Sequence, residues 1–170
     1  MRTFIYKVVF IFFISFFAFH FIGLGKVNKV DREEVFALLH TTRNIQEEFT
    51  NKYYTYEQLY NKLSPFVTDS FFQAFTDTHI TQTSKGYIAL GTDVNGLYIP
   101  KFSYSNGTKI SYDEQNDLIY IYEKMPNIND ASNHPSHYEY VVISKEDNKL
   151  KVSGILQSKE LLTEVKQINN

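Results

Sequence analysis

The stretch that decides the fold is DLIYIYEKM, at residues 117–125. In it Tyr120 and Tyr122 alternate with isoleucines, and a period of two is typical of a β-strand with two different faces. Aromatic and β-branched residues are also the types that strands favour. We therefore predict a strand over residues 117–125, and we interpret the neighbouring sequence outward from it.

Similar segments flank this strand, and short turns separate them. Asn106-Gly107 and Gln115-Asn116 are turn signals, and an Asn-Gly pair is a strong hairpin signal. Pro100 has to lie at a sheet edge or a bulge because it has no N–H group. We predict a curved antiparallel sheet of about six strands, at residues 87–92, 97–105, 108–114, 117–125, 137–144 and 149–157. In the last strand we expect Val152 and Leu156 to share one packed face.

Three helices are predicted before the strands. The capping-box pattern that starts a helix occurs at residues 31–34 and 55–58. Pro65 ends the second helix, and Thr68 starts a third. The first helix is expected to extend to about residue 52. Helices followed by consecutive antiparallel strands form the α+β pattern, with the helices packed against the sheet.

The N-terminal segment is a long apolar run. It begins at Val8 and ends at Leu24, with Phe12, Phe16 and Phe19 inside it. As a helix it would span about 26 Å, which is near the minimum for crossing a membrane. We predict that residues 1–25 are a transmembrane anchor or a signal peptide, and that residues 26–170 are a single extracytoplasmic α+β domain.

The flanks of this run leave two questions open. Its length favours a retained anchor, whereas Gly23-Leu24-Gly25 offers small residues at alternate positions for cleavage. Arg2 and Lys7 precede the run and other basic residues follow it, so the positive-inside rule does not fix its orientation. The predicted location is the cell membrane, with one membrane pass, or the outside of the cell if the segment is removed.

Composition excludes several classes of function. The chain has 170 residues, no cysteine and a formal net charge of −2. The lack of cysteine excludes disulfides, thiolate metal sites and a cysteine nucleophile. No basic block suggests nucleic-acid binding, and no glycine-rich phosphate loop is present. We therefore expect no cofactor, no metal and no nucleic-acid partner.

The order of elements resembles a known superfamily. Leu63-Ser64-Pro65-Phe66-Val67 ends the second helix, and Thr68-Asp69-Ser70-Phe71-Phe72 begins the third. With a long capped helix before them and a curved sheet after them, residues 30–157 resemble the nuclear transport factor two-like superfamily, which implies a cone-like fold. A membrane segment before such a cone also resembles small exported proteins of Gram-positive bacteria, many of them uncharacterised, and the bitopic assembly subunits of type IV secretion systems. Because the superfamily contains isomerases, dehydratases and members without catalysis, the resemblance implies little about function.

The histidines offer little chemistry by sequence. His134 and His137 have a spacing that a metal site can use, but the intervening proline favours a solvated loop. His79 lies near Asp77, yet positions two apart at a helix end diverge, so we expect a helix C-terminal charge or an exposed loop. His40 falls off the apolar stripe of the first helix. We predict no catalytic or metal-binding residue.

Aromatic side chains on the predicted strands are the candidates for a ligand pocket. They occur at alternate positions on neighbouring strands, which suits a pocket lining or cross-strand pairs that stiffen the sheet. The five chosen as pocket-lining candidates are Tyr98, Phe102, Tyr120, Tyr122 and Tyr140.

These patterns favour a non-enzymatic envelope protein. We expect it to be membrane-anchored or exported and to bind a protein partner or a small apolar ligand. One alternative is a small pocket enzyme of the isomerase or dehydratase type, which would use a histidine with a carboxylate. Another is an assembly subunit of a larger membrane complex.

Overall fold

The computed structural model describes residues 30–91, 96–127, 135–163 and 165. Three helices come first, and six strands follow in the described ranges. All of these elements belong to one compact unit that begins at Asp31, and the predicted α+β class is confirmed. The helices are α1 (Arg32–Glu48), α2 (Tyr56–Leu63) and α3 (Asp69–His79), and the strands are β1 (Ile80–Thr83), β2 (Gly86–Ala89), β3 (Lys109–Asp113), β4 (Leu118–Met125), β5 (His137–Glu146) and β6 (Lys149–Ser158).

Polar side chains begin the three helices at the predicted positions. The Asp31 carboxylate accepts the Glu33 N–H at 2.9 Å and caps α1. Thr55 and Gln58 form a complete capping box at α2, with hydrogen bonds of 3.1 and 2.9 Å. Thr68 caps α3. Each cap satisfies backbone donors that a helix start leaves unpaired.

α1 ends at Glu48 rather than at residue 52, and the Glu48 side chain fastens that end. It accepts hydrogen bonds from the Tyr54 hydroxyl at 2.7 Å and from the Lys62 ammonium at 3.1 Å. Lys52 pairs with it at 3.1 Å. The Tyr54 hydroxyl and the two ammonium groups lower the pKa of Glu48 to about 2. The network ties the end of α1 to α2.

β3 to β6 form a four-stranded antiparallel sheet in which the strands follow chain order. On one face Ile121 lies opposite Val141, and Ile143 lies opposite Val152. None of these four side chains has exposed surface. β6 contacts both α1 and α3, so this face is the one buried against the helices. The predicted strands from residue 108 onward agree with the structure to within about two residues.

The opposite face of this sheet carries the tyrosines. Tyr120, Tyr122 and Tyr140 are buried there together with Val165 from the C-terminal segment. The Tyr140 hydroxyl accepts the Leu162 N–H at 3.0 Å. The C-terminal segment thus covers this face, and both faces of the sheet are packed.

A β-bulge in β6 changes which side chains share a face. The pairing shifts between Val142 and Ile143, and Ser153 is the extra residue in β6. Because a bulge moves the alternation by one position, Val152 is fully buried on the helix side while Leu156 is 45% exposed on the other. The prediction that these two residues share one packed face is wrong.

The single sheet of about six strands is corrected to two sheets, because β1 and β2 form a separate hairpin. Tyr87 of β2 exchanges two hydrogen bonds with Tyr54, at 2.8 and 2.9 Å, and the Ala89 N–H donates to the Phe49 carbonyl at 3.0 Å. These bonds occupy the outer edge of β2, so no later strand can pair there. Gly86 permits the approach, since a Cβ on it would lie 2.7 Å from the Tyr54 carbonyl oxygen.

Residues 96–108, here named the strap, contain no strand, although one was predicted over residues 97–105. The strap runs antiparallel to α1, from the level of Gln46 back to that of Arg32. Its backbone is bonded by side chains of Gln46, Arg32 and Glu123. Buried backbone groups need partners, and side chains supply them here instead of a neighbouring strand.

The predicted membrane segment, from Val8 to Leu24, lies outside the described residues. Within the described ranges no helix is both long and apolar enough to cross a membrane.

Candidate functional site

The start of the strap is held by a buried glutamine of α1. Gln46 has no exposed surface. Its Nε2 donates to the Leu97 carbonyl at 2.7 Å, and its Oε1 accepts the Ile99 N–H at 2.9 Å. An amide that donates and accepts along an extended chain imitates the neighbouring strand of a β-ladder. Gln46 therefore replaces the sheet neighbour that the sequence had predicted.

His79, the last residue of α3, completes this anchor. Its Nε2 accepts the Leu97 N–H at 3.2 Å. The ring packs against Phe75 and Tyr98, with centroids 5.2 and 4.8 Å apart, and the residue is only 4% exposed. Burial lowers the pKa of His79. His79 lies in the last turn of α3, but the prediction of a helix C-terminal charge or an exposed loop is wrong because the residue lies one turn after Phe75 on the buried side of the helix.

The middle of the strap is fixed by Tyr104. Its ring stacks on His40 of α1 at 3.9 Å and meets Phe36 edge-on at 5.1 Å. Its φ of 53° lies in the left-handed region, which is uncommon for a residue other than glycine. The hydroxyls of Tyr98 and Tyr104 are buried and have no hydrogen-bond partner within the described part of the chain. Burial raises the pKa of both groups.

Two charged side chains hold the far end of the strap. The Arg32 guanidinium donates to the carbonyls of Ser105 and Thr108 at 2.7 and 2.9 Å. The Glu123 carboxylate of β4 accepts the Ser103 N–H at 2.8 Å and the Thr108 hydroxyl at 2.7 Å. Arg32, Phe36, His40 and Gln46 recur along one side of α1, so the strap contacts the helix over most of its length.

Among the described groups under the strap, no histidine is paired with a carboxylate. A histidine that acts as a general base is normally oriented by a carboxylate. Among the described residues no carboxylate lies within ion-pair distance of His79, and Asp77 is exposed on α3. The described part of the chain also contains no group of three or more His, Asp or Glu residues able to hold a metal ion.

A second candidate site is an exposed surface made by Tyr53, Tyr56 and Tyr60, here named the tyrosine surface. These side chains are 44, 43 and 39% exposed. The rings of Tyr56 and Tyr60 both lie edge-on to buried Phe72, at 5.7 and 5.1 Å, and Tyr56 also meets Tyr87 at 5.8 Å. The rings are therefore supported from below while part of each faces solvent.

The sequence carried a signal for this surface that we did not use. Tyr56 and Tyr60 are four residues apart on α2, which places them on one side of the helix. Leu59 and Leu63 mark the buried side of α2. Because Tyr56, Leu59, Tyr60 and Leu63 follow the i, i+3, i+4, i+7 spacing of one helix face, the sequence predicts that the two tyrosines lie side by side next to the leucines, but not that they are exposed. We had assigned the tyrosines of the chain mainly to strands.

The His137 side chain in β5 contacts polar groups of residues two positions away in the sequence. Its Nδ1 lies 2.9 Å from the Pro135 carbonyl, and its Nε2 lies 3.4 Å from a Glu139 carboxylate oxygen. The other histidine of this predicted pair, His134, lies outside the described residues.

The five predicted pocket residues fall into two groups. Tyr98 and Phe102 belong to the strap, where Tyr98 contacts Phe75 and His79, and Phe102 is 5% exposed. Tyr120, Tyr122 and Tyr140 lie together on the sheet face that the C-terminal segment covers. The structure therefore places them at two locations, and Tyr98 of the strap contacts side chains of α3.

Comparison with known proteins identifies a family. No curated protein matches the chain. A family model described as "Protein of unknown function (DUF3993)" matches residues 31–125, from the N-cap of α1 to the end of β4. The matched region includes both anchors of the strap and the whole tyrosine surface. The chain therefore belongs to the DUF3993 family, whose function is unknown.

Proposed function

We propose that this protein is a non-enzymatic envelope protein that binds a protein partner through the tyrosine surface. The observation that carries the proposal is the exposure of Tyr56 and Tyr60, which lie on one side of α2 and share contact with the Phe72 ring, with Tyr53 exposed to a similar extent just before the helix. Clustered exposed aromatic groups are unusual on a surface that has no partner.

Tyrosine suits a recognition surface for two physical reasons. Its ring provides a large apolar contact area, and its hydroxyl adds a polar group that can exchange hydrogen-bond partners; that of Tyr60 donates to the Asp69 carboxylate at 3.1 Å. Its side chain also has few rotatable bonds, so ordering it on binding costs little entropy. Contacts with Phe72 and Tyr87 already restrict the ring of Tyr56, which reduces that cost further.

The proposal includes a place for the protein in the cell. The apolar run from Val8 to Leu24 attaches the chain to the membrane, and the domain lies outside the cytoplasm. The resemblance to the nuclear transport factor two-like superfamily and to exported proteins of Gram-positive bacteria remains part of this proposal. Three helices followed by an antiparallel sheet in chain order support it.

Site-directed photo-crosslinking in intact cells tests the proposal. A photoreactive phenylalanine analogue replaces Tyr56 or Tyr60 in one pair of variants. In a control variant it replaces Leu156, which is 45% exposed but lies on the sheet. We expect one discrete crosslinked protein from positions 56 and 60 and none from position 156.

The same crosslinks distinguish the proposed function from the alternatives, among them an assembly subunit of a larger complex. The double variant Tyr56→Ser/Tyr60→Ser, crosslinked from position 53, should lose the product. No product from position 56 or 60, or the same product from position 156, would contradict a partner bound at this surface. If the product also remains in a large complex after detergent extraction, the protein is an assembly subunit.

A further inference from the structure

The start of the strap depends on a histidine in its neutral form. Three hydrogen bonds fix residues 97–99: two reach Gln46, and the third runs from the Leu97 N–H to Nε2 of His79 at 3.2 Å. Only an unprotonated ring nitrogen can accept an N–H. A proton on Nε2 would place two donors face to face at a site where His79 is 4% exposed.

The backbone at Gly96 passes close to this ring nitrogen. A Cβ on Gly96 would lie 3.2 Å from His79 Nε2, so the chain passes directly over the imidazole edge. Within the described residues, the strap between positions 96 and 105 has no strand pairing that could hold it when the hydrogen bond from the Leu97 N–H to His79 is broken. The anchor is therefore concentrated in a few side chains rather than spread along a ladder.

We infer that His79 is a pH-sensitive anchor, and that its protonation releases the start of the strap from α1 and α3. Release uncovers the Tyr98 ring and Ile99, which is 3% exposed in the folded domain. An extracytoplasmic domain would meet such pH changes directly, although the inference itself does not depend on the tyrosine surface.

The groups that face His79 come from three elements. The strap contributes Leu97 and Tyr98, α3 contributes Phe75, and α1 contributes Gln46 through Leu97. Of these described residues Tyr98 alone titrates, and burial raises its pKa, so it stays neutral in acid. Among the described residues no carboxylate lies within ion-pair distance to stabilise the imidazolium.

The direction of the pH effect follows from linkage. Burial holds the pKa of His79 below its ordinary value of 6.5, so the unfolded or released form binds the proton more readily. The contribution of the anchor is fully present above pH 6.5. It is lost as the pH falls below that value and through the lowered pKa of the folded form.

Hydrogen exchange measured by mass spectrometry on the full chain in detergent micelles tests the inference. The measurement compares strap fragments over residues 96–102 with β4 fragments, at about pH 7.5 and about pH 5, with intrinsic rates corrected. We expect protection in the strap to fall by about tenfold, the equivalent of one ordinary hydrogen bond, while β4 stays unchanged.

Two variants separate His79 from the other histidine near the strap. His79→Gln keeps an acceptor for the Leu97 N–H but cannot become charged, so its strap should stay protected at both pH values. His40→Gln, which alters the ring stacked on Tyr104, should keep the acid response of the wild type. A strap response that persists in folded His79→Gln, or is absent from the wild type, would overturn the inference.

A direct titration keeps the inference testable if His79→Gln does not fold. The imidazole of His79 is followed by NMR in the wild-type chain, alongside strap exchange. Coincident midpoints below pH 6.5 support the anchor. A midpoint at or above 6.5, or release of the strap while His79 is still neutral, refutes it.

Discussion

The four-stranded sheet and the strap lie in the same unit but depend on different bonds. In the sheet, backbone pairs with backbone from β3 to β6, and most strand residues have a partner across the ladder. In the strap, the backbone pairs with side chains such as those of Gln46, His79 and Glu123. The sheet is therefore insensitive to most single side-chain hydrogen bonds, whereas the strap depends on each one.

The largest effect is expected from a substitution in the core of the four-stranded sheet. Ile143→Ala deletes a side chain with no exposed surface between the sheet and the helices. The loss of apolar contacts and the cavity that remains both destabilise the fold, so the free energy of unfolding should fall by about 3 kcal/mol. Urea unfolding measures this change. The control is Lys145→Ala, at an exposed site on the same strand, which should change the free energy of unfolding by less than about 0.5 kcal/mol.

We expect the loss of stability in Ile143→Ala to affect the whole sheet. Amides in all four strands of the sheet should lose protection together in Ile143→Ala. A change below about 1 kcal/mol, or loss of protection in the strap alone, would contradict the view that the sheet is the cooperative core.

The same difference explains which parts of the fold were predictable. Strand β4 was visible because Tyr120 and Tyr122 alternate with buried isoleucines, and alternation reports a backbone ladder directly. The strap also has alternating aromatic residues, Tyr98, Phe102 and Tyr104, and so was predicted as a strand. Nothing in that local pattern reveals that the edge of β2 is already occupied by residues 49–54, because that bond is made between distant segments.

The candidate sites divide in the same way. Helical spacing places Tyr56 and Tyr60 together on α2, so their grouping was within reach of the sequence, whereas their exposure was not, because buried Leu59 and Leu63 lie on the same face. The environment of His79 was not, since it depends on Leu97 and Gln46, which come from two other elements. Pairing a buried polar residue with its partner needs tertiary contacts, and local periodicity carries no record of them.

A middle-sized effect should come from Gln46→Leu. Leucine fills a similar volume but leaves the Leu97 carbonyl and the Ile99 N–H without their partner. Leaving these buried backbone groups unpaired should lower the free energy of opening the strap by about 2 kcal/mol. Hydrogen exchange should show faster exchange at Ile99 while β4 and β5 keep their protection.

The matched control for this change is Gln73→Leu, at an exposed position on α3. It makes the same replacement without touching the strap, so strap exchange should be unaltered. If Gln46→Leu weakened sheet and strap equally, the two regions would form a single cooperative unit, and the comparison would fail.

The smallest effect is expected at the far end of the strap, at Glu123. Burial raises the pKa of this carboxyl, but hydrogen bonds from Thr108 and Ser103 outweigh it, and the net pKa is lowered from 4.5. A carboxyl group whose pKa is lowered in the folded state stabilises the fold at pH values above its ordinary pKa. That contribution is lost as the pH falls below the ordinary pKa and through the lowered one. Glu123→Gln keeps an acceptor without a charge, so it should cost about 1 kcal/mol at neutral pH and reduce the acid dependence.

Urea unfolding at neutral pH and in acid measures this effect, with Glu114→Gln at an exposed turn as the control. The stability gap between wild type and Glu123→Gln should narrow as the pH falls below 4.5, because the wild-type carboxyl becomes neutral too. An unchanged gap would mean that the charge does not hold the strap. Because Glu123 lies on β4 while His79 lies on α3, His79→Gln should leave this narrowing intact, which shows that the strap is fastened at separate points.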